Sequence, residues 1–256
     1  MARPVNAPFA RRRIPVVGRR SHGPYVVLVA RDTAARATPG QFYMLASAER
    51  WGGGEGERPY LARAISIMRL REEGLVEFLL EDVGPGTRRL CELDVGEELA
   101  VVGPLGNGFT PPTPDSEPLL VGGGIGIAPL VAVQESWGGR ALLGFRSGEH
   151  AKAAELFVGP QIATDDGSVG HNGFVTTLLD DELATRAPQT IYACGPPEML
   201  SEVRALARAH EAGAQLALEA PMACGFGACY GCVVATVDGY RRVCVDGPVF
   251  EAAVLA

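Results

Sequence analysis

Four of the six cysteines lie close together near the C-terminal end, in MACGFGACYGCVVATVDGYRRVC: Cys224, Cys229, Cys232 and Cys244. Their order is C-x4-C-x2-C followed by a fourth, more distant cysteine, the order in which one class of 2Fe–2S centre takes its thiolates. A loop of this kind must wrap around two irons while turning backbone N–H groups towards sulfur. Gly225, Gly227 and Gly231 supply the backbone freedom that such wrapping requires. A disulfide framework fits poorly, because the remaining chain is cysteine-poor and no secretory signal is apparent. Structural zinc would also use four cysteines, but such sites favour two paired C-x2-C knuckles.

The 256 residues are enough for two domains and a small appendage. A net charge of −7 gives no footprint for nucleic acid. Arg11, Arg12, Arg13, Arg19 and Arg20 form a local basic run, read here as a solvated strand edge rather than a transit peptide. No apolar stretch is long enough for a membrane helix. Thiolates kept for metal, with no signal peptide, point to a reducing cytoplasm.

The first 112 residues alternate short β-rich runs with turns: PYVVLVARD, GQFYMLAS, AISIMRL, LVEFLLEDV and ELAVVGPLG. This texture predicts an antiparallel β-barrel. Within it, GPGTRRLCEL reads as a glycine turn opening a short helix, and ERWGGGEGER as a mobile hairpin tip. TPPTPDSEP marks a linker. Residues 113–218 then alternate strand and helix: LLVGGGIGIAPLVAVQESW, RALLGFRS, the helical piece DELATRAP, TIYACG, PPEMLSEVRALARAHEAG and AQLALEAP. Leu200, Val203, Leu206 and Ala207 share one helix face. The pattern predicts an α/β unit with a parallel sheet, and residues 219–256 form the cysteine module. The whole is an α+β multidomain chain.

Three further sites carry chemistry. Gly122, Gly123, Gly124 and Gly126 lie between a strand and a helix, where a phosphate-bearing ligand approaches backbone closely. The same glycines also suit a tight packed connection. The next strand ends at Arg146 rather than at the acid typical of NAD sites, which keeps NADP open beside NAD. Cys194, Gly195 and Pro196 end a strand at the carboxyl edge, where α/β ligands bind, although a lone cysteine there is also a small core residue. In the barrel, Arg63 and Ser66 offer a pyrophosphate clamp and a flavin hydrogen bond, and Gly86 and Thr87 offer a helix start.

That order resembles the ferredoxin–NADP reductase superfamily, as do GPLGNGF and DGSVGHNGFVT. With the cysteine tail and its DGPVF ending, residues 14–251 resemble the electron-transfer subunits of NAD-linked (class 1B) dihydroorotate dehydrogenases. The resemblance implies that Arg63, Ala64, Ile65, Ser66, Leu79, Leu80, Glu81, Gly86 and Thr87 contact FAD. It places Cys194 near the nicotinamide, and Cys224, Cys229, Cys232 and Cys244 on the cluster. An aliphatic Ile65, where many superfamily members carry an aromatic, agrees with this branch. Glu81 stands where a basic residue is common, so its backbone is the better contact.

The implied role is an oxidoreductase subunit in pyrimidine biosynthesis. A separate FMN-containing (β/α)8 subunit would oxidise dihydroorotate, and electrons would pass through 2Fe–2S and FAD to NAD+, in a two-plus-two heterotetramer. Flavoprotein subunits of a hydrogenase, a sulfide dehydrogenase or a ferredoxin–NADP transhydrogenase would share the same sites. A standalone reductase and a non-redox zinc module are the remaining alternatives. Phe226 and Tyr230 suit either a partner-docking rim or core packing.

Overall fold

In the computed structural model, residues 11–52, 59–185 and 189–256 are described. Most of the glycine-rich ERWGGGEGER segment falls outside them.

Six strands close a barrel: β1 (Arg12–His22), β2 (Tyr25–Arg31), β3 (Phe42–Ser47), β4 (Arg63–Arg71), β5 (Leu75–Glu81) and, after helix α1 (Pro85–Cys91), β6 (Glu98–Leu105). Every pairing is antiparallel, in the spatial order β1-β2-β5-β4-β3-β6. The near-continuous apolar run of β2 follows from burial on both faces. Val26, Leu28 and Ala30 fill the barrel with Phe78 and Leu80, whereas Tyr25 and Val27 face outward into a second core. The basic run in β1 is not a free solvated edge. Arg12 pairs with buried Asp32 and donates to Gly103 O, Arg19 donates to Cys91 O, and Arg20 pairs with Glu77.

The chain then builds β7 (Glu117–Gly123), α2 (Ala128–Trp137), β8 (Arg140–Phe145), α3 (Gly148–Ala151), β9 (Gln161–Thr164), β10 (His171–Asn172), α4 (Val175–Thr185), β11 (Gln189–Cys194), α5 (Pro197–Ala209) and β12 (Gly213–Ala217). Strand β7 takes up the last two residues of the expected linker. Helix α4 starts at Val175, before DELATRAP, because Val175 and Leu179 bury against the sheet. The cysteine segment adds β13 (Val233–Thr236), β14 (Gly239–Arg242), α6 (Val243–Asp246) and β15 (Val249–Glu251).

The large sheet runs β10-β9-β8-β7-β11-β12-β15, parallel except for β15. Period-two alternation splits its strands between two layers. Leu120, Leu143 and Tyr192 face α2 and the outer wall of the barrel; Leu119, Val121, Leu142 and Ile191 face α4 and α5. On α5, Leu200, Val203 and Ala207 are buried and Leu206 is partly buried. Among the described residues no helix is long and apolar enough to cross a membrane.

Candidate functional site

Carboxyl ends of parallel strands meet the barrel at a cavity of about 730 Å³, within the range of small-molecule sites. Its wall follows the sheet edge in order: Asp165 after β9, Arg146 after β8, Gly123, Gly124 and Gly126 at β7, Gly195 and Pro196 after β11, and Glu219 after β12. Tyr25 and Glu81 close it from the barrel side. The sequence reading marked the glycines, Arg146, Gly195 and Pro196. It missed His150, Asp165 and Glu219, whose only signal was their position beyond strand ends, and gave Phe174 no role although it lies in DGSVGHNGFVT.

The glycines divide by role. A Cβ on Gly126 would fall 2.6 Å from Cys194 O and from Gly195 Cα, so the turns after β7 and β11 touch backbone to backbone. Gly124 holds a φ of 54°, a conformation that favours glycine. Gly122 does not line the cavity; a Cβ there would meet Ile127 and Leu130, so its small size lets the following helix settle on the strand. Cys194 likewise lies behind the wall, 2% exposed within the α2-side core. Burial, and secondarily the Glu219 carboxylate, pushes its thiol far up, so it is a neutral group.

On the barrel, the structure brings Arg63 onto the start of α1. A Cβ on Gly86 would lie 2.5 Å from Arg63 Cζ, so glycine is what lets the guanidinium rest on the helix's first turn. Arg63 also lies 5.8 Å from the centre of the Trp51 ring. First-turn N–H groups lack intrahelical partners, and beside a fixed cation they suit a pyrophosphate. Thr87 Oγ1 is engaged locally: it donates to Gly84 O and accepts from Val83 N–H. Ser66 sits opposite Phe42 and Ala64 opposite Met44 in the β3–β4 ladder, while Ile65 packs against the barrel core. Leu79 and Leu80 are fully buried and leave only backbone to a ligand. The Glu81 side chain turns to His150, 3.7 Å away.

The cysteines come together two by two. The β13–β14 hairpin takes up ten of the eleven residues between Cys232 and Cys244, and Val243 N–H donates to Cys232 O at 2.9 Å, closing its base. Cys232 and Cys244 act on one another electrostatically, and so do Cys224 and Cys229. Among the described residues no three His, Cys, Asp or Glu side chains converge on one point for a single ion. A two-iron centre, with two thiolates on each iron, fits this grouping better than tetrahedral zinc. Burial favours the neutral Cys224 thiol, yet N–H groups of Phe226, Cys229 and Ala228 and the Cys229 side chain draw it down to about 6. Gly231 N–H points at Cys229 Sγ, 3.5 Å away. Such N–H···S contacts are what a cluster-binding loop needs. Burial and Cys232 push Cys244 up to about 12. Phe226 and Tyr230 are 43% and 63% exposed, so neither is a core residue. Arg242 lies over the Tyr230 ring, 4.9 Å from its centre.

The cysteine loop abuts the barrel. A Cβ on Gly225 would reach within 2.7 Å of Met44 Sδ, and Phe42, Met44 and Leu105 share a core with Cys232 and Cys244. Asn107, just beyond β6, donates its side-chain amide to Val245 O and Asp246 O.

Comparison with known proteins gives the family and the fold. Residues 219–256 match the family model described as the iron–sulfur cluster binding domain of dihydroorotate dehydrogenase B. The dihydroorotate dehydrogenase B (NAD(+)) electron transfer subunit of Fusobacterium nucleatum is 38% identical over 235 residues, covering 84% of this chain and 86% of that one. That of Desulforamulus reducens is 36% identical over 242 residues, covering 89% and 90%. Among solved structures, an NADH-dependent reduced ferredoxin–NADP oxidoreductase aligns with a TM-score of 0.81 at 25% identity, over 95% of this chain and 89% of that one. The ferredoxin reductase of carbazole 1,9a-dioxygenase shares the fold, with a TM-score of 0.68 at 23% identity over 80% and 66%. This chain belongs to the family of electron transfer subunits of NAD(+)-linked dihydroorotate dehydrogenase B.

Proposed function

We infer that this protein is the electron-transfer flavoprotein subunit through which electrons taken from dihydroorotate reach a nicotinamide nucleotide. One observation carries the reading: the barrel is touched by the cysteine loop at β3, through Gly225 on Met44, and by the nucleotide cavity at Tyr25 and Glu81. When bound, FAD supplies the exchange between single electrons and a hydride that iron–sulfur and nicotinamide chemistry require between them.

The chain's own residues supply position and field. Arg63, with the start of α1, would hold the flavin pyrophosphate, and Ser66 would hydrogen-bond the ring edge. Gly123, Gly124 and Gly126 let a dinucleotide pyrophosphate approach backbone, while Gly195 and Pro196 shape the wall beside the nicotinamide. Cys194, kept neutral by burial, would act as an uncharged backing for that wall rather than as a nucleophile. Cys224, Cys229, Cys232 and Cys244 would hold 2Fe–2S, with N–H donors stabilising thiolate charge.

The units serving these roles divide near residues 112 and 218. The donor would be an FMN-containing catalytic subunit in a two-plus-two assembly in the cytoplasm, with NAD+ as acceptor in preference to NADP+. Anaerobic co-purification followed by dihydroorotate-dependent reduction of NAD+ and of NADP+ tests all of this. A stable dihydroorotate-oxidising partner and faster NAD+ reduction are expected. Isolation with a different redox partner, or reduction by ferredoxin alone, would overturn it.

A further inference from the structure

Phe174 is 70% exposed, yet it stands on the wall of the nucleotide cavity. Its backbone is held from both sides. Gly173 N–H donates to Thr164 O at 3.0 Å, Thr177 N–H donates to Phe174 O at 3.1 Å, and the next residue, Val175, is buried against the sheet. The surrounding rim is tied as well: Asp165 N–H donates to Phe145 O, and Gly148 N–H donates to Ser168 Oγ at 2.7 Å. A large apolar ring presented to an open cavity from a hydrogen-bonded backbone is a surface awaiting a flat ligand.

Position selects the ligand. With a dinucleotide pyrophosphate at the glycine turn after β7, the adenosine ribose belongs at the end of the next strand. That strand is β8, which ends beside Arg146, and Phe174 lies on the same wall with Arg146 and Asp165. The nicotinamide half then runs the other way, towards Gly195. We propose that Phe174 is the stacking platform for the adenine ring of the nicotinamide dinucleotide, making the β8–β9 end of the cavity the adenosine subsite. This rests on the dinucleotide reading of the cavity. An aromatic face suits a base of any substitution pattern, so the contact contributes affinity and leaves the choice between NAD and NADP to the polar rim.

The test uses the flavin- and cluster-loaded protein and its Phe174→Ala and Phe174→Tyr variants. Calorimetry with ADP-ribose reads the subsite without turnover. Steady-state reduction of a dye acceptor compares NADH with reduced nicotinamide mononucleotide, which lacks the adenosine half. Expected for Phe174→Ala are an ADP-ribose Kd raised about tenfold and a similar fall in the NADH-to-mononucleotide ratio of kcat/KM. Phe174→Tyr should restore both, with flavin content equal in all three proteins. Undiminished ADP-ribose binding by Phe174→Ala overturns the stacking role and leaves the dinucleotide site standing. Loss of flavin in that variant, with ADP-ribose binding intact, assigns the platform to FAD and also overturns it. A parent protein that binds neither NADH nor ADP-ribose overturns the dinucleotide reading itself.

Discussion

Arg69 holds the barrel and the α/β unit together, and its removal offers a measurable test of how rigidly they are joined. It lies on β4, 8% exposed, and its guanidinium makes three contacts. Nε donates to Glu135 Oε1 on α2 at 2.6 Å, Nη2 to Leu156 O at 3.0 Å, and Nη1 reaches Glu77 Oε2 on β5 at 3.5 Å. Arg69→Met keeps most of the apolar stem and removes the fork. A hydrogen bond to a charged group contributes up to about 3 kcal/mol when buried, but the Glu135 side chain is 45% exposed and rehydrates, leaving about 1 kcal/mol. Loss of the bond to the Leu156 carbonyl costs about 1 kcal/mol more. Glu77 retains Arg20 and Arg71, so the third contact adds little. The expected cost is therefore about 2 kcal/mol, concentrated at the junction. The chain carries two tryptophans, and they report separately. Trp51 lies by Arg63 on the barrel, and Trp137 ends α2 with its ring 5.5 Å from Tyr192. In single-tryptophan versions (Trp51→Phe or Trp137→Phe), urea unfolding should coincide for the parent. With Arg69→Met added, the Trp137 transition should move to lower urea and separate from the Trp51 transition. Coincident transitions with stability within about 0.5 kcal/mol of the parent would refute the clamp.

Gly225→Ala should weaken cluster retention. Its φ of 78° disfavours a side chain, and the added methyl meets buried Met44, together costing about 2–4 kcal/mol; visible absorbance after dilution checks it. Gly126→Ala should raise NADH KM more than it changes flavin content, because its methyl meets backbone at Cys194 and Gly195 on the cavity wall. Glu77 sets an acid limit. Burial raises its pKa, but hydrogen bonds from Arg20 and Arg71 and the charges of Arg20 and Arg69 outweigh burial and hold it below its ordinary 4.5. The stability it contributes is present above that value and lost as pH falls through the lower folded value, so urea midpoints should drop there in the parent and lack that component in Glu77→Gln. Cys91, pushed up to about 11 chiefly by burial, and buried Cys194 should resist alkylation at pH 8 until the protein is denatured, as read by peptide mass spectrometry.

Much of this was legible in local chemistry. The barrel strands announced themselves by short β-rich runs between turns, and the glycine turn after β7 by its place between strand and helix. What was hidden depends on long-range pairing. Three residues, Val249–Glu251, carry too little periodicity to predict that β15 returns to pair with β12. The basic run at the start looked like solvated charge because its partners, Asp32 and Glu77, lie far along the chain. Gly122 and Gly126 belong to one glycine-rich turn, yet one seats a helix and the other a neighbouring turn. Phe174 lies in DGSVGHNGFVT, which was marked only for its resemblance, since exposure beside a cavity is a tertiary property.

The spacing that opened this reading has a structural cause beyond the cluster. C-x4-C-x2 is loop chemistry: sulfur must meet several inward N–H groups, and each residue counts. Ten of the eleven residues before Cys244 are instead a hairpin, with Val233 opposite Arg242, and its length is set by ladder register rather than by the metal. The segment is then fastened just after its fourth ligand, to both units. Asn107 from the barrel accepts Val249 N–H and donates to Val245 O, while Leu218 N–H at the end of β12 donates to Pro248 O at 2.8 Å. Cys244 is thus located by the barrel and the sheet together, whereas the loop of Cys224 and Cys229 leans on the barrel alone, through Gly225 on Met44. Disturbing the junction between the two units should therefore be felt first at the Cys232–Cys244 pair, on the buried side of the cluster, before the exposed side registers any change.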